Sequence, residues 1–185
     1  MKILAICPSK RPNALIHMMD TFLTTRSKYT QIIVNYEIRP ITEIFNKVFN
    51  EHPDEDYYMM LNDDIFFKTP LWDLELAQKG KISYGDDCLQ HENLPTFPMI
   101  DGNIVRALGW LQLPTLEKYC GDVCWRTIGK SLNILRYCPN VQIDHSWAGC
   151  ENTEIHTKDM AAFAKWLQVS ERDINKVRKV LNGIS

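Results

Sequence analysis

The first 64 residues alternate short apolar runs with amphipathic stripes in a β-α-β-α-β rhythm, and few folds accommodate that rhythm. Residues 2–7 are a continuous apolar run that predicts a buried strand closing at Pro8, Ser9, Lys10 and Arg11. Pro12 then suits the first turn of a helix, whose inward stripe is Leu15, Met18, Met19, Phe22 and Leu23. Residues 31–34 read as a second strand. Ile41, Ile44, Phe45, Val48 and Phe49 form the next helical stripe, with Thr42 as its cap. Residues 57–61 read as a third strand that runs straight into Asn62, Asp63 and Asp64. Such an order calls for a mostly parallel sheet with helices on both faces. Ligands in sheets of this kind bind beyond the carboxyl ends of the strands, so residues 8–11, 35–37 and 62–64 are expected around one crevice.

The second half is less regular. Short strands are expected at 82–84, 97–100, 134–137 and 141–143, a short helix ending near Gly109, and a helix over 122–132 with Trp125, Ile128 and Leu132 inward. The tail over 157–181 reads as two amphipathic helices, one lined by Met160, Phe163, Ala164 and Leu167, the other by Ile174, Val177 and Leu181. Ser170 with Asp173 matches a capping box between them. A length of 185 residues suits one α/β domain over 1–150, with 151–185 as a helical extension packed on it.

A formal net charge of −2 offers no basic excess to grip nucleic acid, which enters only as a possible acceptor substrate. No apolar run approaches the roughly 20 residues that span a bilayer, and residues 2–7 lack the features of a signal peptide, so the expected setting is the cytoplasm. The six cysteines, Cys7, Cys88, Cys120, Cys124, Cys138 and Cys150, are read as reduced thiols. Cys120 and Cys124 have a spacing that zinc accepts, but no second close Cys/His pair accompanies them, and buried free cysteine is the default reading.

The chemistry concentrates in a few residues. Asp63 and Asp64 stand side by side where an apolar strand ends, which is costly unless a cation neutralises them. A hard ion such as Mg²⁺ or Mn²⁺ would do so, and a polar turn leaving the sheet is the plainer alternative. His145 closes a strand and is either a hydrogen-bonded structural residue or a metal ligand. Asp122 opens a helix, as an N-terminal partner of the dipole or as a general base. Lys10 and Arg11, at the end of the first strand, suit a phosphate or are ordinary surface charge. Residues Tyr84, Gly85, Asp86 and Asp87 resemble a polymerase hairpin motif, but the chain is too short for a polymerase, and they read as a strand-end loop near the same crevice. Arg172, Lys176, Arg178 and Lys179 read as a solvated helix face.

Taken in order and spacing, these pieces resemble the GT-A glycosyltransferases, especially short members similar to glycosyltransferase family 2. The resemblance covers roughly residues 2–147 and also rests on Asp101-Gly-Asn-Ile-Val-Arg-Ala-Leu-Gly-Trp110, on Gly121, Asp122 and Trp125, and on Ile143, Asp144 and His145. It implies that Asp64 binds the metal in a D-x-D-like motif, here Asn62, Asp63 and Asp64, with His145 as the far ligand. It places Pro8, Ser9, Lys10, Arg11, Glu37, Asn46, Lys47, Asn62 and Asp63 around the nucleotide sugar and makes Asp122 the catalytic base. The implied reaction moves a hexose, glucose from UDP-glucose first, to a hydroxyl on a glycan, a small molecule or a hydroxylated DNA base, with inversion and with Mn²⁺ or Mg²⁺. A nucleotidyl or phosphoryl transferase of similar fold, or a nucleotide-sugar-binding protein without catalysis, are the rival readings.

Overall fold

The structure, a computed structural model, describes residues 1–145 and 152–183. The chain begins with β1 (Ile3–Pro8), α1 (Pro12–Thr25), β2 (Thr30–Asn35), α2 (Ile41–Glu51) and β3 (Tyr57–Met60). Then come β4 (Phe66–Phe67), α3 (Trp72–Lys79), β5 (Ile82–Asp86), a 3₁₀ turn (His91–Asn93) and β6 (Met99–Asp101). The chain continues through α4 (Gly102–Leu108), α5 (Gly121–Ser131), β7 (Leu135–Asp144), α6 (Thr153–Leu167) and α7 (Glu171–Leu181).

The strands form one sheet in the order β2-β1-β3-β6-β5-β7-β4. β1 pairs in parallel with β2 and β3, and β5 with β7. β6 runs antiparallel between β3 and β5, and β4 runs antiparallel at the edge beside β7. The sheet is therefore mostly parallel in strand direction, with five strands one way and two reversed. Alternation along β1 explains its sandwiched position: Ile3, Ala5 and Cys7 join the core on one face, Leu4 and Ile6 the core on the other. Tyr58 and Met60 join the second core, while Met59 and Leu61 face the first.

Local chemistry sets the helix ends. Pro12 occupies the first turn of α1. Asp101 caps α4 through the Asn103 amide, and Gly109, with φ of 76°, closes that helix in the left-handed region. Thr42 does not cap α2: Pro40 holds that position, and the buried Thr42 gives its amide to the Glu117 carbonyl at 3.3 Å. The capping box at Ser170 does not form either. Its hydroxyl donates back to the Leu167 carbonyl at 2.9 Å, while Asp173 accepts the Trp166 indole N–H at 3.0 Å. That bond also sets the phase of α6. Asp159, Phe163 and Trp166 are buried, whereas Met160 and Leu167, expected inward, are exposed. Residues 134–137 and 141–143, expected as two strands, belong to one strand that shifts register against β5 near Asp86. α6 and α7 add Phe163, Trp166, Ile174 and Val177 to the core shared with α2 and α5. Among the described residues no helix is long and apolar enough to cross a membrane.

Candidate active site

Because β1, β2, β3, β5 and β7 point the same way, their carboxyl ends share one edge of the sheet. The loops after β1, β2 and β3 are stitched together there. The Ser9 amide donates to the Asn35 carbonyl at 2.9 Å. The buried Ser9 hydroxyl donates to Asp63 Oδ2 at 2.7 Å and accepts the Arg11 amide at 3.2 Å. Arg11 spans the carboxylate pair: its Nε reaches Asp63 Oδ2 at 3.3 Å, and its Nη2 contacts Asp63 Oδ1 and lies 2.9 Å from Asp64 Oδ2. A single guanidinium thus bridges two adjacent carboxylates at the tip of an apolar strand and offsets one of their two negative charges.

The second Asp64 oxygen is treated differently. Oδ1 is buried and takes no hydrogen bond among the described residues. His145 Nε2 stands 3.4 Å from it. The two meet because β4 reverses direction and pairs with β7, setting Phe66 opposite Asp144. The His145 ring packs edge-on against Phe97 at 5.3 Å, and its amide donates to the Asp87 carbonyl at 3.1 Å. Burial works against an ionised Asp64, but the neighbouring His145 imidazole and Arg11 guanidinium outweigh it and hold the carboxyl below its ordinary range.

A buried carboxylate oxygen with no hydrogen to accept costs free energy and calls for a missing partner. An oxygen and an imidazole nitrogen 3.4 Å apart fit a divalent cation, since two ligands at about 2.1 Å around an octahedral ion lie about 3 Å apart. No group of three His, Cys, Asp or Glu side chains able to hold a metal occurs among the described residues. A hard divalent cation is commonly held by one or two protein carboxylates, with substrate phosphate and water completing the shell; here an imidazole takes one of those places.

Asp122 stands in the first turn of α5, one residue after Gly121. α5 ends close to the start of β7, with the Ile134 amide donating to the Gly129 carbonyl at 2.9 Å, so its amino end lies toward the edge that carries His145. Asp122 Oδ1 accepts the Val123 amide at 2.8 Å. Burial nevertheless pushes its carboxyl above the ordinary range, assisted by the charge of Asp87, while Arg126 pulls the other way. The residue just before α5's first turn, Cys120, has φ of 66°, in a region that side chains other than glycine rarely adopt.

Other candidates fall in different places. Glu37 is paired with Lys47 and lies 2.8 Å from Arg39 Nε, and the Lys47 contact chiefly holds its carboxyl below the usual range. Lys10 and Asn62 are exposed at the rim, and Pro8 ends β1 opposite Asn35. Asn46 turns away from the carboxylates: its amide donates to the Gln112 carbonyl at 2.7 Å and accepts the Leu111 and Gln112 amides at 2.8 and 3.0 Å. Cys120 and Cys124 are buried free thiols in the core; burial pushes Cys120 up to about 11 and Cys124 higher still. Cys150 lies outside the described residues.

Two organising carboxylates lie outside the expected site residues. Asp87 accepts the Leu89, Gln90 and His91 amides at 3.0, 2.7 and 3.1 Å and the Thr96 hydroxyl at 2.6 Å, which folds the loop after β5. Asp159 accepts the Glu117, Lys118 and Tyr119 amides at 2.8, 2.8 and 2.6 Å, which fixes the approach to α5. The second leaves a trace in the sequence: an acid on the same helical face as Phe163 and Trp166, at i+4 and i+7.

No protein-family model matches the chain, and no curated protein matches it in sequence. Among solved structures it is similar to the mannosyltransferase PcManGT from Pyrobaculum calidifontis, seen in complex with GDP-Man and Mn²⁺, at 8% identity and a TM-score of 0.59. That match covers 77% of this chain and 56% of the mannosyltransferase, so the chain spans little more than half of that protein's length. It is similar to the catalytic domain of Drosophila β1,4-galactosyltransferase 7 at 13% identity and a TM-score of 0.58, covering 85% and 79% of the two chains. It is also similar to A197 from STIV, at 15% identity and a TM-score of 0.50, covering 77% and 84%. With its mostly parallel sheet, its helices on both faces and these likenesses, the chain has the GT-A glycosyltransferase fold.

Proposed function

We propose that the chain transfers a hexose, with glucose from UDP-glucose the first donor to test, to an acceptor hydroxyl with inversion, using Mn²⁺ or Mg²⁺. The observation that carries this reading is Asp64 Oδ1, a buried oxygen with no hydrogen bond among the described residues, 3.4 Å from His145 Nε2 at the ligand-binding edge of the sheet. Structures of the same fold seen with GDP-Man and Mn²⁺, or with manganese, UDP-Gal and xylobiose, support it.

A divalent cation held by Asp64 and His145 would neutralise charge on the donor diphosphate as the nucleotide leaves. Arg11, anchored by Asp63 and Asp64, sets positive charge where a diphosphate approaches. Ser9 and Asp63 hold that arrangement, and Pro8, Lys10 and Asn62 form its rim. Glu37, kept ionised by Lys47, offers acceptor oxygens to nucleoside hydroxyls. Asn46 serves from behind by fixing the backbone of Leu111 and Gln112. Asp122 takes the proton of the acceptor hydroxyl as its oxygen bonds to the anomeric carbon. The bond to the diphosphate oxygen breaks, and its electron pair leaves with the nucleoside diphosphate. A carboxyl raised by burial is a stronger base than an exposed one, which suits that task.

A thermal-shift screen of UDP-glucose, UDP-galactose and GDP-mannose with and without Mn²⁺ tests the reading. Ligand at 100 times its Kd stabilises the folded chain by about 2.7 kcal/mol. A rise that needs both nucleotide sugar and metal, and that disappears in Asp64→Asn, is expected. Absence of any metal-dependent rise across the panel defeats the proposal.

A further inference from the structure

A second cavity, of about 500 Å³, begins one helical turn below Asp122 and runs between α5 and the strands β5 and β7. Asp122, Arg126 and Lys130 follow one another at i, i+4 and i+8, so they share one face of α5. At about 1.5 Å per residue, Arg126 and Lys130 stand roughly 6 and 12 Å along the axis from Asp122. The carboxylate of Asp122 feels the Arg126 charge, which ties the cavity to the proposed base. Arg126 Nη1 donates to the Asn93 carbonyl at 2.9 Å, joining the helix to the opposite wall.

That opposite wall is the loop after β5. Asp87 folds it through three amides and the Thr96 hydroxyl, and Asp86 holds His91 at 2.8 Å. The loop delivers Glu92 and Asn93 to the cavity. Tyr84 and Tyr137, with ring centroids 5.3 Å apart, form the sheet-side floor. Tyr84 is fixed there by donating its hydroxyl to the Glu92 carbonyl at 2.8 Å. Burial and the neighbouring Asp86 push the Tyr137 phenol up to about 12, so it remains a neutral donor.

Resting on the glycosyl-transfer reading, we infer that this cavity is the acceptor site, and that the acceptor carries a compact anion, phosphate or carboxylate, held by Arg126 and Lys130. Two cations one turn apart on a single face make a paired anchor. Glu92 faces them from the other wall and accepts from acceptor hydroxyls rather than from the anion. The half-buried Tyr137 ring, backed by the buried Tyr84, suits the carbon face of a sugar ring. A single pair of cations is too few to track a nucleic-acid backbone, which needs many phosphate contacts.

Direct titration tests this without requiring turnover. The chain is titrated with glucose 6-phosphate, glucuronate and glucose, as wild type, Lys130→Glu and Arg126→Gln. The expected result is binding of glucose 6-phosphate or glucuronate at least tenfold tighter than glucose, the stronger of the two naming the anion. Lys130→Glu, an exposed position on the helix, should weaken the preferred ligand at least tenfold, as should Arg126→Gln. The affinity for UDP-glucose with Mn²⁺, measured in parallel, should not change in Lys130→Glu. Equal binding of glucose and the charged sugars, or an anion preference that survives both substitutions, overturns the acceptor assignment. Failure of the wild type to bind any of UDP-glucose, UDP-galactose and GDP-mannose with Mn²⁺, with anion binding intact in this cavity, would instead overturn the glycosyl-transfer reading.

Discussion

On the wall of the crevice built from β1 and β3, Asp64 keeps one buried oxygen without a hydrogen bond among the described residues. On the wall built from the β5 loop and α6, Asp87 and Asp159 give their oxygens to backbone N–H groups, three amides each. All three are carboxylates shielded from water, yet one oxygen of the first takes no hydrogen bond among the described residues, while the others are saturated by the backbone. A saturated carboxylate organises a loop, since each charge-assisted hydrogen bond contributes about 1.5–3 kcal/mol and fixes a backbone segment. A carboxylate with a bare oxygen next to an imidazole is instead kept ready for something that arrives later. The contrast separates a carboxylate left open to a ligand from carboxylates already committed to the backbone.

Substitutions can break that contrast, and the largest effect is expected at Asp64. Asp64→Asn should lower glycosyl transfer about 10³-fold or more, because electrostatic stabilisation of the leaving group is lost. The melting temperature without metal should fall only modestly, since Asn keeps an oxygen for Arg11 but loses the charge that pairs with Arg11 and His145. A large fall in melting temperature with normal transfer would make Asp64 a scaffold residue. Asp122→Asn comes next. Loss of a general base should lower transfer by about 10²–10⁴-fold, while UDP-glucose affinity measured by titration stays as in the wild type. Transfer that survives unchanged would remove the base from Asp122.

The opposite pattern is expected at the carboxylates committed to the backbone. Asp159→Ala removes a charged acceptor from three amides and should destabilise by about 3 kcal/mol. For a chain of this size that lowers the melting temperature by about 6–12 °C, at about 2–4 °C per kcal/mol. Chemical denaturation of the variant measures this, and a loss below about 1 kcal/mol would mean that the loop over residues 117–119 holds without it. Activity per folded molecule should fall less than in Asp64→Asn, because the damage acts through the position of α5.

The same contrast explains what a sequence discloses and what it withholds. The β-α-β-α-β start is legible because apolar runs of strand length and helical stripes alternate there, and local periodicity fixes both element type and strand direction. The reversal of β4 and β6 is not. β4 is two residues long and exists only because Phe66 and Phe67 meet β7, and β6 is three residues whose direction depends on a long preceding loop. The phase of α6 is misjudged because Met160 and Leu167 look like core residues, while the buried Trp166 is held by Asp173, a bond that no periodicity encodes. At the site, Asp63, Asp64, Asp122 and His145 stand out in sequence as acids and an imidazole at strand and helix ends. Asn46 also stands out, yet its amide is occupied by Leu111 and Gln112, partners 65 and 66 residues away. Residue type announces chemistry, whereas distant pairing decides whether that chemistry is still available.

pH separates Asp122 from Asp64 and Asp87 by sign, with the smallest effect expected. Asp64 and Asp87 have folded pKa values held below the ordinary range: burial opposes ionisation of each, but His145 and Arg11 outweigh it at Asp64, and the Thr96 hydroxyl with three amides does so at Asp87. Their contributions to stability are therefore complete above the unfolded carboxylate range, about 4, and are lost as pH falls through their lower folded values. Asp122 has the opposite sign. Burial raises its carboxyl, so the unfolded chain ionises first, and this group costs stability as pH climbs from about 4 toward its raised folded value. Asp122→Asn removes that cost and keeps an oxygen for the Val123 amide, so the variant should melt slightly higher than the wild type at pH 7, with the gap closing near pH 3. Paired melting curves across that range measure the gap. A variant that melts lower at pH 7 would show Asp122 acting as a helix-end scaffold, akin to Asp159.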